Sequence, residues 1–390
     1  MDPVSAFPRP GSPSAAVVDL SALEENVRAL RAHAPSAALL AVVKADAYGH
    51  GLLPAARAAR RAGATWLGVA QMGEAFTLRD NGIQGRVFTW LNVPGADFAG
   101  AIRRDIDLSA SAPWAVAEIA AAAETTGVTA RVHLKVDTGL GRNGAFGPGF
   151  AQLVAAAARH EASGAIRVVG VWSHFASADD PGHPTVRQQQ DVFEDAVRTA
   201  EAAGFELEVR HLANSAATLT NPSAHYDLVR PGLACYGLSP VPDLGGPAAY
   251  GLTPVMTLLA RLALVKEVPA GTGLSYSHHY VTPSDTRVGL VPMGYADGIP
   301  RSASGTGPMT IGGRRYAVAG RVCMDQVVVD LGPESHARAG DVAVLFGPEA
   351  AGGPSAQDWA IAAGTISYEI VTRLGARVER VYVGSQEDSS

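Results

Sequence analysis

From about residue 15 the chain alternates short, near-continuous apolar runs with longer Ala- and Leu-rich stretches. The short runs are Ala38–Val43, Trp66–Ala70, Arg86–Trp90, Asp105–Ala110, Arg131–Val136, Arg167–Trp172, Glu208–Leu212 and Asp227–Arg230. Their length and apolar character predict strands buried on both faces, as in a parallel sheet. The stretches between them, including Leu52–Ala62, Gly73–Arg79, Ala115–Thr126, Phe150–His160 and Thr185–Ala203, predict helices. Eight such units over residues 15–245 predict an α/β fold, a (β/α)8 TIM-type barrel. A doubly wound open sheet is the alternative, but it usually has fewer strands.

The texture changes near Leu238. Segment Leu238–Tyr250 is rich in Pro and Gly and reads as a linker. Beyond it β patterning dominates, predicting a C-terminal mainly-β domain over residues 246–384. Met309–Ile311 and Arg315–Val318 flank Gly312-Gly313 as a hairpin, Cys323–Asp330 is a further β run, and a helix is expected near Trp359–Thr372. Met1–Ser14, rich in Pro and Ser, reads as a disordered lead-in without the basic-then-apolar order of a secretory leader. Ser385–Ser390 reads as a polar tail.

Bulk numbers narrow the class. The 390 residues are 47% apolar and 17% charged, ample for a large core and a second domain. A net charge of −6 gives no footprint for nucleic acid or an anionic membrane surface. No apolar run approaches the ~20 residues of a membrane helix. Two cysteines, Cys235 and Cys323, exclude a disulfide scaffold and suit a reducing, cytoplasmic compartment.

A barrel enzyme carries its chemistry at the C-terminal ends of its strands. There the sequence places Lys44, Trp90, Lys135, the pair Ser173-His174, His211 with Asn214-Ser215, and Arg230-Pro231-Gly232, with Arg142 in the loop after the fifth strand. Each alone has an ordinary explanation: a lysine whose stem snorkels, a core histidine, an arginine in an ion pair. Their convergence on one end argues for a site. Gly139-Leu140-Gly141-Arg142-Asn143-Gly144 matches a dinucleotide fingerprint, yet a Gly- and Pro-containing loop is expected after it where a helix is required. His278-His279 are adjacent, and no metal site is expected.

Segments Val43–Gly51, His133–Arg142, His211–Ala216, Val229–Gly232, Leu274–Tyr276, Gly294–Gly298 and Gly320–Asp325 together resemble the alanine racemase family of barrel-type pyridoxal-phosphate enzymes over nearly the whole chain. The resemblance implies a barrel followed by a β domain, pyridoxal 5′-phosphate as cofactor, and a head-to-tail homodimer. It implies that Lys44 carries the cofactor as an imine and acts as one base, with Tyr276 from a partner subunit as the other. Tyr48, Ser215, Gly232, Leu233 and Tyr368 resemble phosphate ligands, with Asn214 as a supporting neighbour. Arg230 resembles the arginine that donates to the pyridine nitrogen. Arg142 and the backbone amide of Met324 resemble the holders of the substrate carboxylate, with Asp325 and Tyr295 in support. Trp90 stands at a wall position.

The chemistry explains the residue types. An amino acid α-carbon becomes acidic once its amine is condensed with an aldehyde cofactor, and a lysine can both hold that aldehyde and move the proton. A phenol ordinarily titrates near ~10. A chain from Tyr276 through His174 to Arg230, as the resemblance implies, would supply positive potential to lower it. Arginine has no acceptor, so a ring nitrogen facing Arg230 stays unprotonated, which favours a racemase over a decarboxylase or an aminotransferase. Lys135 beside Arg142 would be two like charges in one pocket, and the resemblance implies a carbamate on Lys135. The expected reaction is L-alanine to D-alanine for peptidoglycan. A broad-specificity or serine racemase is the alternative; a basic amino-acid decarboxylase and a non-catalytic cofactor-binding protein are more remote.

Overall fold

The computed structural model describes residues 12–384; the lead-in through residue 11 and the tail from 385 lie outside the described residues. The described residues form two compact units, one of Glu24–Ala47 and Leu52–Leu252, the other of residues 12–23, Tyr48–Gly51 and residues 253–384.

The first strand, β1 (Ser14–Asp19), was not foreseen and begins inside the expected lead-in. It pairs antiparallel with Met256–Arg261 and parallel with Glu379–Val383, so the residues just after the lead-in belong to the β unit although the barrel was expected from residue 15. Sequence alone hides this because both partners lie more than 200 positions away.

The barrel strands follow in order: β2 (Ala38–Val42), β3 (Trp66–Val69), β4 (Arg86–Thr89), β5 (Ile106–Ala110), β6 (Ala130–Asp137), β7 (Ala145–Phe146), β8 (Ile166–Trp172), β9 (Val209–His211) and β10 (Leu228–Val229). Eight run parallel in the order β10-β2-β3-β4-β5-β6-β8-β9, with β7 a short addition on β6. Asp227 N–H donates to the Arg210 carbonyl at 3.2 Å and Arg230 N–H to the Ala213 carbonyl at 2.9 Å, so the two ends of the sheet meet and the ring nearly closes. This is the eight-stranded α/β barrel expected.

Local sequence explains the helices between them. Pro113–Thr126, Pro148–Ala162 and Pro184–Ala202 each carry proline in the first turn, where its missing N–H costs nothing. Gly127 ends the first of these in the left-handed conformation. Leu52–Arg61 buries Ala55, Ala56, Ala58 and Ala59, small residues that allow close packing on the strands. The loop expected after Gly144 instead forms β7 and then the helix from Pro148, which starts four positions after the end of the fingerprint-like run and outside its register.

The second unit is mainly β, with a six-stranded sheet, a three-stranded sheet and a two-stranded ribbon. Pro308–Ile311 and Arg314–Ala317 form the expected hairpin, with Gly312 (φ 57°) and Gly313 (φ 77°) in the turn geometry only two positive-φ residues supply easily. Two expectations are corrected. The single helix near Trp359–Thr372 is two, Ala356–Ala363 and Ser367–Thr372, because Gly364 turns left-handed between them. The β run Cys323–Asp330 starts as strand only at Val327, since Cys323 N–H bonds the Gln326 carbonyl in a turn. Among the described residues no helix is long and apolar enough to cross a membrane.

Candidate active site

Lys44 follows the end of β2, and the chain then does something unusual. Ala45 (φ 54°, ψ 54°), Asp46 (φ 52°, ψ 45°) and Ala47 (φ 53°, ψ 50°) lie in left-handed helical space, and Tyr48 (φ 56°) continues it. A non-glycine residue there costs about 1–2 kcal/mol. Local bonds offset the cost. Ala45 N–H donates to Glu74 Oε1 at 2.6 Å, Ala47 N–H to the Val43 carbonyl at 2.9 Å, and Leu52 N–H to Asp46 Oδ1 at 2.7 Å. The turn ends the strand abruptly and leaves the lysine at the barrel mouth.

Positive charge crowds this end. Burial holds the Lys44 amine below its ordinary pKa, Arg142 and Arg230 push it the same way, and Glu74 opposes them. The Lys44 ammonium position lies 5.7 Å from the centre of the Trp90 ring, which therefore walls the lysine. Lys135, near the C-terminal end of the inward face of β6, lies with its amine 4.0 Å from the Trp172 ring centre. Burial first, then Arg230 and Arg142, lower its pKa to about 7. Arg142 is exposed on its loop, which Asp137 shapes by accepting from Gly139 N–H at 2.9 Å and Gly141 N–H at 3.1 Å.

Arg230 is buried, and burial lowers its pKa to about 9. Its Nη2 donates to the Ser173 carbonyl at 2.7 Å and reaches His174 Nδ1 at 3.4 Å, while Nη1 reaches His211 Nδ1 at 3.3 Å. Burial and then Arg230 keep His174 well below its ordinary pKa, so it is neutral. Arg230 thus touches His174, the contact between these two residues that the resemblance implies.

The loops after β9 and β10 are tied through Ser215, whose hydroxyl oxygen accepts from Gly232 N–H at 2.8 Å and Ala234 N–H at 3.3 Å. Leu233 is fully buried beside them. Asn214 caps the following short helix by accepting from Ala217 N–H at 3.1 Å.

The remaining candidates lie on the second unit. Tyr48 and Tyr368 are neighbours there, ring centres 6.2 Å apart. Tyr276 sits in a tight turn with positive φ at Ser275, Ser277 and His278, and its side chain is 69% exposed. Met324 is 53% and Tyr295 41% exposed, and Asp325 is paired with Arg377 at 2.8 Å. Reading only the strand ends missed Glu74, Trp172 and the polar residues lower in the barrel, Asp107 and His133.

Comparison with known proteins agrees with this geometry. The alanine racemase N-terminal domain model matches residues 18–240 and the alanine racemase C-terminal domain model matches residues 255–382. The chain belongs to the alanine racemase family. It is 58% identical over 381 residues to the alanine racemase of Frankia casuarinae, covering 96% of this chain and 99% of that one. It is 58% identical over 373 residues to the alanine racemase of Streptomyces coelicolor, covering 94% and 95%. The crystal structure of the alanine racemase from D-cycloserine-producing Streptomyces lavendulae superposes with a TM-score of 0.95 at 58% identity, covering 97% of this chain and 99% of that one. The Bacillus anthracis alanine racemase with bound L-Ala-P superposes with a TM-score of 0.88 at 31% identity, covering 97% of each chain. This membership makes the chain an isomerase.

Proposed function

We propose that the chain interconverts L- and D-alanine with pyridoxal 5′-phosphate held at Lys44, using Lys44 and Tyr276 as bases on opposite faces of the α-carbon. The observation that carries this reading is the state of Lys44: an amine on a rigid turn, held below its ordinary pKa by burial and by Arg142 and Arg230. Only the uncharged form of an amine attacks an aldehyde, so each influence that lowers the pKa of Lys44 raises the share able to react.

The donor set suits the cofactor. Lys44, Lys135, Arg142 and Arg230 interact electrostatically at one barrel end, a field for ligands bearing phosphate and carboxylate groups. When bound, pyridoxal phosphate supplies a ring that delocalises charge from the α-carbon. Ser215 and the backbone at Gly232 and Leu233, with Tyr48 and Tyr368, hold the phosphate in this reading. Arg230 offers only donors, so it keeps a facing ring nitrogen unprotonated and limits the time charge rests there. Arg142 and the Met324 amide hold the substrate carboxylate. Lys44 moves the proton on one face and Tyr276 on the other, with the Arg230 cation, in contact with the neutral His174, providing positive potential.

Exposure of Tyr276 and Met324 on a single chain supports a homodimer in which each subunit completes its partner's site. The small alanine side chain suits a pocket walled by Trp90. The product would serve peptidoglycan synthesis in the cytoplasm.

The test incubates purified protein and cofactor with L-alanine, L-serine and L-lysine separately and detects D-product with a stereospecific oxidase. D-alanine as the main product is expected, and borohydride followed by peptide mapping should find the cofactor on Lys44. No D-alanine, or attachment elsewhere, overturns the reading.

A further inference from the structure

We propose that Asp107 is a positioning residue for Arg230, acting through a chain of two histidines whose tautomers it fixes. The chain runs along the barrel interior. Asp107 Oδ2 lies 3.2 Å from His133 Nε2, His133 Nδ1 lies 2.9 Å from His211 Nε2, and His211 Nδ1 lies 3.3 Å from Arg230 Nη1. Asp107, His133 and His211 are fully buried and Arg230 is 5% exposed.

The direction of every bond follows from the two ends. A carboxylate only accepts, so His133 carries its proton on Nε2. Burial holds both histidines below their ordinary pKa and hence neutral, which leaves His133 Nδ1 bare and an acceptor. His211 must then donate from Nε2, leaving its own Nδ1 bare. Arginine only donates, so Arg230 requires that same bare Nδ1. An acceptor-only group at one end and a donor-only group at the other allow a single arrangement of protons.

The surroundings enforce it. Phe88 packs on His133 with ring centres 4.5 Å apart, and Trp172 stacks on His211 at 5.8 Å and 5°. Trp172 Nε1 is itself fixed by Ser109 Oγ at 2.9 Å. Gly170 leaves the space that His133 fills, since a Cβ there would lie 2.6 Å from His133 Nδ1. Arg131 closes the far end, its Nε on Asp107 at 3.0 Å and its Nη1 and Nη2 on Glu208 at 2.9 and 2.7 Å. Arg86 stands 3.6 Å from Asp107, and Lys135 faces His211 electrostatically. The chain gives Arg230 an oriented acceptor polarised by a carboxylate two rings away. Its consequence for catalysis rests on the reading of Arg230 above.

Histidine tautomers are read directly by 15N NMR of protein labelled at histidine and free of cofactor, with His133→Gln and His211→Gln used for assignment. Both rings are expected neutral with the proton on Nε2; an Nδ1–H ring or an imidazolium at either position overturns the proposal. Glutamine at 211 can donate with its amide N–H and accept with its oxygen, whereas leucine can do neither. His211→Gln should therefore keep the absorption band of the bound cofactor, while His211→Leu and Asp107→Asn shift it and lower kcat/KM about 10- to 100-fold, as loss of other outer-shell partners does. An unshifted band in both disrupting variants overturns the proposal. If the unmodified protein takes up no cofactor, the reading of the site fails, and the cofactor-free NMR measurement still decides the tautomers.

Discussion

Glu74 Oε1 accepts a hydrogen bond from Ala45 N–H at 2.6 Å, so a carboxylate in the first turn of the helix Met72–Asp80, after β3, grips the residue immediately after Lys44. Its other oxygen accepts from Ala70 N–H at 3.1 Å and Gln71 N–H at 3.0 Å, which binds the ends of β2 and β3 into one unit. The same carboxylate is the acidic group that raises the Lys44 pKa against three opposing influences. It thus holds the left-handed turn and restrains the loss of charge on the lysine.

Glu74→Gln keeps the size of the side chain but removes the charge and one of its accepting oxygens. The lost charge-assisted bonds should cost about 1.5–3 kcal/mol of stability, read as a lower denaturation midpoint. Without the acid the Lys44 amine loses its proton at lower pH, so modification of Lys44 by an amine reagent should persist further into the acid range. A reagent profile that moved to higher pH would contradict the assignment.

Lys135 predicts a dependence on carbon dioxide. Its pKa is lowered to about 7, so above that pH the amine is mostly uncharged and can add carbon dioxide, releasing a proton as the carbamate forms. Below it the amine is protonated and cannot. In 13C-labelled bicarbonate a carbamate signal should appear in alkaline buffer and fade as pH falls through about 7. It should be missing from Lys135→Ala, which should also raise KM, because Arg142 loses the anion that would orient it. No signal in alkaline buffer would sink the idea.

The barrel strands were legible because parallel strands covered on both faces must be apolar almost throughout, as Val168–Val171 and Leu39–Val42 are. Lys44, Lys135 and Arg230 were legible because they break that pattern at strand ends. The left-handed turn was not: nothing in Ala45-Asp46-Ala47-Tyr48 favours positive φ, and the conformation depends on acceptors such as Glu74 that are distant in sequence. Asp107 and His133 lie below the strand ends, where only the spacing Arg131, His133, Lys135, Asp137 marks one polar column on β6. Reading that alternation as an inward face would have exposed the chain leading to Arg230. The place of β1 was beyond any local pattern, since its partners are fixed by the tertiary fold.

Gly170→Ala should destabilise the barrel. The added Cβ would lie 2.6 Å from His133 Nδ1 and 2.8 Å from the Val209 carbonyl, and neither ring nor backbone can yield freely. A loss of about 1–3 kcal/mol in chemical denaturation is expected for such overpacking. Gly73→Ala provides the opposite sign, because a Cβ on that helical residue meets nothing within 4 Å and should stabilise by about 0.4–1 kcal/mol. Equal effects from the two substitutions would refute the packing argument.

Tyr276 predicts complementation between two inactive proteins. Lys44→Ala removes the cofactor-bearing amine, and Tyr276→Phe removes the phenol while leaving Lys44 in place. Each homodimer then lacks one base at both sites. If Tyr276, which is 69% exposed on its own chain, serves a partner's Lys44, a mixed dimer carries both defects at one site and none at the other. Random reassociation makes half the dimers mixed, so activity should return to about a quarter of that of the unmodified protein. Had Tyr276 served its own chain, every site in the mixture would lack one base and no activity would return. The cofactor absorbance of Tyr276→Phe separates the two roles of the residue: retained absorbance with lost turnover marks a base, whereas lost absorbance marks a residue needed for binding.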